Sequence, residues 1–112
     1  MINTDRWFYP VLQELTKDNT LHHAGEHETA IVEHLRPELL KGELPEDENP
    51  DYGFDMLDLV QSRLLVSNGH WGFPSKATRE KGRTFLGKGL EAAIQYLRSR
   101  LQLVNRFEVS EK

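Results

Sequence analysis

The sequence predicts a helix-rich α/β protein. Three segments repeat apolar residues at helical spacing, one short apolar segment is consistent with a buried strand, and loops rich in Gly and Pro separate them. With 112 residues, the chain suggests a single domain, or part of one, over residues 1–112. Hydrophobic residues make up 38% and charged residues 29%, which is typical of a folded globular protein rather than a disordered one.

The clearest predicted element is a C-terminal helix over residues 76–106. Thr78 is its predicted N-cap, and Glu80 lies in the first turn, where a negative charge is favoured. Glycines at 82, 87 and 89 lower the helix propensity but allow another backbone to approach closely. The apolar residues repeat at three- and four-residue steps along one continuous helix face, namely Leu86, Leu90, Ala93, Ile94, Leu97, Leu101 and Val104.

Two shorter helices are predicted earlier in the chain. Asp5–Leu15 is amphipathic and is begun or interrupted at Pro10. Glu28–Leu35 carries a short apolar stripe; Gly25 breaks any helix upstream, and Pro37 ends the segment or starts a second short turn.

The region between the helices is acidic and rich in turns. Residues 43–53 predict an exposed, mobile acidic loop, because Pro, Asn and Gly punctuate it. Residues 43–58 hold seven carboxylates and no Lys or Arg, whereas residues 76–106 are mainly basic, so the two regions are expected to attract each other or a partner. One or two strands are expected around Leu12–Leu21 or Leu64–Ser67.

Several classes of function are excluded or disfavoured by composition. The net charge of -4 argues against nucleic acid as the main partner, since phosphate binding favours a basic surface. The absence of Cys excludes disulfides, thiolate metal sites and a cysteine nucleophile. No apolar run is long enough to span a bilayer, and MINTDRWFYP lacks the order of a signal peptide, so we expect a cytoplasmic protein without membrane association.

The segment HHAGEHETA, residues 22–30, concentrates the polar chemistry of the chain. Imidazole and carboxylate groups are preferred ligands of divalent cations. His23 and His27 are four residues apart, as in a zincin helix, but Gly25 lies between them and the His-Glu-x-x-His order is absent. On spacing alone, a solvated polar loop leading into a helix is an equal alternative. The candidate ligands are His22, His23, Glu26, His27 and Glu28.

The segment HHAGEHETAIVEHLRPELL resembles a block of the creatininase (creatinine amidohydrolase) family. In that block His-Ala-Gly is followed by two residues, Glu-Thr-Ser/Ala, a helix and Arg-Pro. The later segment GHWGFPSKATREKGRTFLGKGLEAAIQYL is similar to the family's Gly-x-x-Gly-x-Pro, Ala-Thr and Lys-Gly motifs with their long helix. The resemblance runs from about Leu21 to Leu103, in the family's order. It implies the C-terminal part of a three-layer α/β fold, with helices flanking a small, mainly parallel sheet.

The resemblance also implies roles for individual residues. Glu28 matches a metal ligand, and His23 matches a histidine that handles protons during ring or amide opening. The implied cofactor is a divalent metal, Zn or Mn, with Fe as a further option, and the implied substrate is a small molecule such as a cyclic amide. Thr78 and Lys81 match motif positions that look structural, a cap and a helix-start contact. Residues that could contact the substrate or support the site are His22, Glu26, His27, His70 and Trp71.

Two ligand-bearing motifs of the family are not recognisable in this chain. One is an N-terminal Glu-x-His-Gly…Asp cluster and the other is Asn-Gly-His-Gly-Gly-Asn; residues 68–70 repeat three letters of the latter, but in the wrong place. Since a catalytic zinc site needs three or more protein ligands, we expect completion by a homo-oligomer or by a complementing N-terminal half. The alternatives are a non-catalytic creatininase-like remnant, or an oligomerisation or adaptor module that docks through its acidic loop and basic helix.

Overall fold

The computed structural model describes residues 8–16, 23–50 and 61–110. Two short helices, α1 and α2, pack against one long helix, α3. Short 3-10 turns punctuate the connections between them. The helices are α1 (Phe8–Leu15), α2 (Glu26–Leu35) and α3 (Arg79–Ser110), and the 3-10 turns are Pro37–Leu39, Ser62–Leu64 and Pro74–Lys76. The predicted helix-rich character is therefore confirmed. No helix within the described ranges is both long and apolar enough to cross a bilayer.

The two short helices begin and end at the signals that the sequence supplies. Pro10 is the third residue of α1 as described, and a first-turn position suits Pro because the N–H it lacks would have no intrahelical partner there. Helix α2 starts directly after Gly25, two residues earlier than predicted, and ends before Pro37. Its first turn carries Glu26 and Glu28, whose negative charges favour the positive end of the helix dipole.

Helix α3 begins directly after its predicted cap. The Lys81 amide donates to the Thr78 hydroxyl at 3.2 Å, and the Gly82 amide donates to the Thr78 carbonyl at 3.0 Å. A side-chain oxygen that accepts from the third residue of a helix is the defining contact of an N-cap. The helix therefore starts at Arg79, three residues later than the predicted bound.

The core lies where the beginning of α3 crosses the other two helices. Its buried members are Leu12 from α1, Ala30 from α2 and Phe85 from α3. Helix α3 lies very close to α2 at Gly82, since a Cβ added to this glycine would lie 1.9 Å from the Ala30 carbonyl oxygen. The close contact anticipated for the glycines is thus confirmed at Gly82, and it fixes which face of α3 packs inward.

The continuous apolar stripe predicted on α3 faces away from this core. Leu90 lies five residues after Phe85, which places it roughly 140° around the helix at 3.6 residues per turn. The packed face instead combines Phe85 with small residues, because only small residues permit the close helix crossing. The exposed members of the stripe, with their exposed fractions, are Leu90 63%, Ile94 40%, Leu97 42%, Leu101 63% and Val104 50%.

Extended pairing within the described ranges consists of two isolated antiparallel bridges, His23 with Trp71 and Glu48 with Gly72. The strand predicted at Leu64–Ser67 is wrong, because the chain there forms a 3-10 turn followed by bends. The alternative strand at Leu12–Leu21 is wrong at its start, which lies in α1, and residues 17–22 lie outside the described residues. The three-layer sheet remains a prediction.

The acidic loop is described over residues 43–50, and its second half is tied to the rest of the protein. The Glu48 carboxylate accepts hydrogen bonds from the amides of Ser67 at 2.7 Å and Asn68 at 3.2 Å. The pKa of Glu48 is lowered from its ordinary value, mainly because the Ser67 amide donates a hydrogen bond to the carboxylate. The Asp47 carboxylate accepts from the Ser75 amide at 3.0 Å. The predicted exposure is confirmed over residues 43–47. Asp47 and Glu48, however, bind the end of the loop to Ser75 and to residues 67–68.

We expect Gly82→Ala to destabilise the fold by at least about 1 kcal/mol, since overpacking of a tight contact costs about 1–3 kcal/mol. Gly87→Ala is the matched control on the same helix, because a Cβ there meets nothing within 4 Å. It should be neutral or stabilising by up to about 1 kcal/mol, the helix-propensity gain of Ala over Gly. Urea unfolding measures both variants, and equal free energies of unfolding would contradict the close crossing.

Candidate functional site

The His-Ala-Gly loop is hydrogen-bonded to the loop that precedes α3. The His23 amide donates to the Trp71 carbonyl at 3.0 Å, and the Trp71 amide donates to the His23 carbonyl at 2.7 Å. On the other side, the Gly72 amide donates to the Glu48 carbonyl at 2.7 Å, and the Glu48 amide donates to the Gly72 carbonyl at 3.1 Å. Three distant segments thus meet through their backbones. The two sequence blocks, which lie far apart along the chain, form one structural unit.

Two glycines allow this contact. A Cβ on Gly72 would lie 3.1 Å from the Gly25 Cα, and a Cβ on Gly25 would lie 3.4 Å from the Trp71 carbonyl oxygen. Gly72 also adopts a φ of 140°, a region that side chains rarely permit. Backbone packing between the two loops therefore explains Gly25 of His-Ala-Gly and Gly72, the second glycine of Gly-x-x-Gly-x-Pro.

The conformation of the loop before α2 is held by the first turn of that helix. Ala24 has a φ of 50°, which is uncommon for a residue other than Gly. Its amide donates to the Glu28 carboxylate, and its carbonyl accepts from the Thr29 hydroxyl at 3.5 Å. Glu28 occupies the third helical position and reaches back towards the cap, as the glutamate of a capping box does. Thr29 contacts the loop that precedes the helix, and the N-cap of α2 is Gly25.

Glu28 therefore has a structural role alongside its predicted metal role. Its carboxylate is exposed, and its Oε2 accepts from the Ala24 amide. An ionised carboxylate has about four lone-pair sites, so one accepted hydrogen bond leaves it able to bind another group. The described geometry is compatible with Glu28 as a ligand, but the same geometry would serve helix capping alone.

Glu26, which the sequence placed at a variable position of the motif, is the buried carboxylate of the site. Only 6% of its side chain is exposed, and it forms an ion pair with the Lys81 ammonium. Lys81 also donates to the Lys76 carbonyl at 2.8 Å. A buried charge requires such pairing, because removing it from water is costly. Glu26 thus joins the first turn of α2 to that of α3, and Lys81 has the helix-start contact that its motif position implied.

His27 lies half-buried on α2, next to Glu26 and Glu28. Burial lowers the pKa of His27 from its ordinary value of 6.5, because desolvation disfavours the imidazolium form. The charges of Glu28 and Glu26 oppose this effect and raise the pKa, but by less than burial lowers it. Folding therefore disfavours the imidazolium form of His27 relative to the unfolded chain.

His70 and Trp71 are both buried, with 4% and 2% of their surfaces exposed. Trp71 is bridged to His23 through its backbone, and His70 directly precedes it in the loop before α3. Neither ring nitrogen of His70 has a hydrogen-bond partner among the described residues.

The predicted site residues are only partly brought together. His23 and Glu28 are both exposed at the start of α2, while His70 is buried in the loop before α3 and His22 lies outside the described residues. Across residues 8–16, 23–50 and 61–110, no three His, Asp or Glu side chains converge in a way that could hold a metal ion. Since a catalytic zinc site needs at least three protein ligands, these residues alone do not fit a complete metal site.

Sequence reasoning missed the contribution of Glu48, which pairs with Gly72 and ties down residues 67–68. It lies within a run of acidic residues, where no local pattern distinguishes it from its neighbours. Sequence reasoning placed Glu26 only among the residues that could contact the substrate or support the site. The family resemblance implied a helix-start contact for Lys81, but nothing in the sequence indicated its partner.

The free energy of unfolding should fall as the pH is lowered from 7.5 to 5.5. The lowered pKa of His27 means that the unfolded chain, with its ordinary pKa of 6.5, binds more protons than the folded protein in this range. One proton contributes a slope of at most about 1.4 kcal/mol per pH unit. We expect His27→Gln to flatten the dependence of the free energy of unfolding on pH. His34→Gln, on the same helix, should keep a steeper dependence than His27→Gln shows. Urea unfolding at each pH tests this, and identical slopes for wild type and His27→Gln would refute it.

Comparison with known proteins identifies the family. The creatininase family model, described as creatinine amidohydrolase, matches residues 3–97, which is most of the chain. No curated protein and no solved structure matches significantly. The match includes both loops that meet at the His23–Trp71 bridge, and it extends upstream of the blocks that carry the sequence resemblance. The chain belongs to the creatininase family.

Proposed function

We propose that this chain is part of a metal-dependent hydrolase that acts on a cyclic amide, another carbon–nitrogen bond or a related ring bond of a small molecule. The family membership supports an amidohydrolase-type reaction. The observation that carries the proposal is the backbone pairing of His23 with Trp71, which joins the two family blocks and fixes the start of α2. The site needs ligands beyond those of the described residues.

His23 is proposed as the residue that moves protons. Its side chain is exposed, while its amide and carbonyl are both held by Trp71. A fixed backbone with an exposed imidazole suits proton transfer to a bound molecule, because imidazole can gain or lose a proton near neutral pH. The structure around His23 supports a position at the rim of a shared site.

Glu28 is proposed as the one metal ligand that this segment contributes, with Zn or Mn as the ion and Fe as a further option. Its exposed carboxylate lies at the positive end of α2, beside the preceding loop, whose conformation it also holds. Because no group of three ligand side chains converges in the described ranges, at least two more ligands must come from elsewhere.

A second copy of the chain is proposed to cover the exposed seam of α3, defined as Leu90, Ile94, Leu97, Leu101 and Val104. The seam steps by four, three, four and three residues, which is the spacing of a coiled-coil interface. Glu91 and Arg98 flank it on one side, seven residues apart. In an antiparallel pair with Ile94 opposite Leu97 of the partner subunit, Glu91 and Arg98 of the partner subunit lie on the same side of the interface, within two residues of direct register. This charge complementarity favours a second copy, and a complementing N-terminal half is the competing occupant.

A non-catalytic role is the second candidate. It is favoured by the incomplete ligand set of the described residues and by the unpaired apolar seam. In that case the chain is a creatininase-like remnant, or an adaptor that docks partners through its acidic loop and basic helix. The two candidates differ in metal content and turnover, which can be measured together.

The full chain should be purified with its natural partners from its own cells and assayed for Zn, Mn and Fe and for hydrolysis of a panel of cyclic amides. We expect chelator-sensitive turnover with bound metal. Glu28→Gln should lower metal content at least about tenfold, in line with the loss of a ligand or its support. His23→Gln should retain metal and lose turnover by about 10²–10⁴-fold, the usual contribution of a general acid or base.

Glu33→Gln on α2 and His34→Gln are the matched controls, and both should retain metal and activity. Wild-type turnover in His23→Gln would remove that residue from proton transfer. Unchanged metal content in Glu28→Gln would leave it only its helix-capping role. A wild-type preparation without metal or turnover would favour the remnant or adaptor.

Light scattering of the purified chain should give twice its 13.0 kDa mass. Leu97→Asp places a charge in the seam and should produce a monomer, because burying an unpaired carboxylate is costly. Leu103→Asp is the control, since Leu103 has nearly the same exposure, 41% against 42%, but lies off the seam. A wild-type monomer, or an equal effect of both substitutions, would rule out self-association through this seam.

A further inference from the structure

Glu48 binds the loop that precedes α3 at two points. Its backbone exchanges two hydrogen bonds with Gly72, since the Gly72 amide donates to the Glu48 carbonyl at 2.7 Å and the Glu48 amide donates to the Gly72 carbonyl at 3.1 Å. Its carboxylate accepts from the amides of Ser67 at 2.7 Å and Asn68 at 3.2 Å, and from the Ser67 hydroxyl at 3.2 Å. One residue therefore holds both ends of the segment 67–72.

This segment also carries the contacts that hold His23. Trp71 exchanges two backbone hydrogen bonds with His23, at 3.0 and 2.7 Å. The next residue, Gly72, packs against Gly25, because a Cβ on Gly72 would lie 3.1 Å from the Gly25 Cα. Glu48 and His23 are thus paired with two consecutive residues of the same segment. A displacement of those two residues would displace the backbone of His23 as well.

The carboxylate of Glu48 is suited to holding backbone amides because it is charged. The pKa of Glu48 lies below its ordinary value of 4.5, mainly because the Ser67 amide donates to it, so the group is ionised near neutral pH. A hydrogen bond to an ionised acceptor is roughly twice as strong as one between neutral groups. Glu48 lies in neither of the sequence blocks that resemble the family, so its contacts alone indicate its role.

We propose that Glu48 is a positioning residue of the hydrolytic site and holds the backbone of His23 through the segment 67–72. The proposal rests on the proposed role of His23 in proton transfer. Proton transfer needs the imidazole within hydrogen-bond reach of the reacting group, and a misplacement of about 1 Å can lower turnover by about 100-fold. A residue that fixes this backbone therefore acts on turnover without touching the substrate.

Glu48→Gln tests the structural part of the proposal in the full chain without turnover. The glutamine keeps one accepting oxygen but loses the charge and places an NH₂ group against the loop amides. NMR should show shifted His23 signals. The Trp71 amide should exchange at least about tenfold faster than any loss of global stability explains. Asp47→Asn is the matched control, because it removes the neighbouring carboxylate, which accepts from the Ser75 amide at 3.0 Å, outside the segment.

Asp47→Asn should leave the His23 signals and the Trp71 exchange as in the wild type. Unchanged His23 signals and Trp71 exchange in Glu48→Gln, or equal changes in Asp47→Asn, would overturn the positioning role. If Glu48→Gln does not fold, hydrogen exchange of the wild type decides. The amides of Ser67, Trp71 and Gly72 should then open with one common free energy, and unequal opening of Ser67 and Trp71 would overturn the proposal.

Turnover of the enzyme, purified with its natural partners, tests whether Glu48 acts through His23. Glu48→Gln should lower kcat at least about tenfold and change KM less than about threefold, since an interaction that serves the transition state is weakened. In a His23→Gln background the same substitution should cause little further loss of kcat, because residues that act as a unit are not additive. A full further loss would overturn the proposal.

The two proposals fail in different ways. Wild-type turnover in His23→Gln would refute proton transfer by His23, and with it the catalytic consequence of Glu48. The NMR and exchange measurements would still decide whether Glu48 holds the backbone of His23. Lost turnover in His23→Gln, together with unchanged turnover in Glu48→Gln, would instead support the proposed function and overturn the positioning role.

Discussion

An ion pair between the buried Glu26 and the half-buried Lys81 joins the first turns of α2 and α3, and the arrangement of the site depends on it. The same lysine donates to the Lys76 carbonyl, at the end of the 3-10 turn that leads into α3. That turn follows the loop that pairs with His23. The contacts therefore form a closed ring: α2 holds α3, α3 holds the turn before it, and the turn continues into the loop that holds the start of α2.

This ring explains how a short polar segment keeps an unusual conformation. The positive φ of Ala24 is one of the backbone features that cost about 1–3 kcal/mol and persist only when the surroundings fix them. Here the surroundings include two backbone hydrogen bonds to Trp71, the Glu28 carboxylate on the Ala24 amide, and the contact of Gly25 with Gly72. Each hydrogen bond contributes only about 1 kcal/mol, so the loop depends on several acting together. The result is a fixed platform beneath His23 and Glu28.

The parts of the fold that follow local rules could be predicted from the sequence. Thr78 caps α3, Gly25 precedes α2, and Pro10 is tolerated in α1, because capping and proline effects depend on neighbouring residues. Family resemblance identified the two sequence blocks, and the structure shows that their loops pair through His23 and Trp71. Contacts between distant segments could not be predicted. The amides of residues 67–68 donate to the Glu48 carboxylate, so they are not available for strand pairing. The close contact at Gly82 determines which face of α3 packs inward, and the apolar seam lies on the exposed side. The roles of Glu28 and His23 remain proposals, and His22 lies outside the described residues.

The most direct measurement of the central interaction is a double-mutant cycle on Glu26→Gln and Lys81→Met. Urea unfolding gives the coupling energy, and hydrogen exchange of the Trp71 amide reports whether the loop pairing depends on the ion pair. We expect a coupling of at least about 1 kcal/mol, within the usual range for residues in contact, and faster Trp71 exchange in both single variants. The account would be contradicted if the two substitutions were additive within about 0.5 kcal/mol and if exchange of the Trp71 amide changed no more than the global free energy of unfolding does. That result would show that the His-Ala-Gly loop is held independently of this pair.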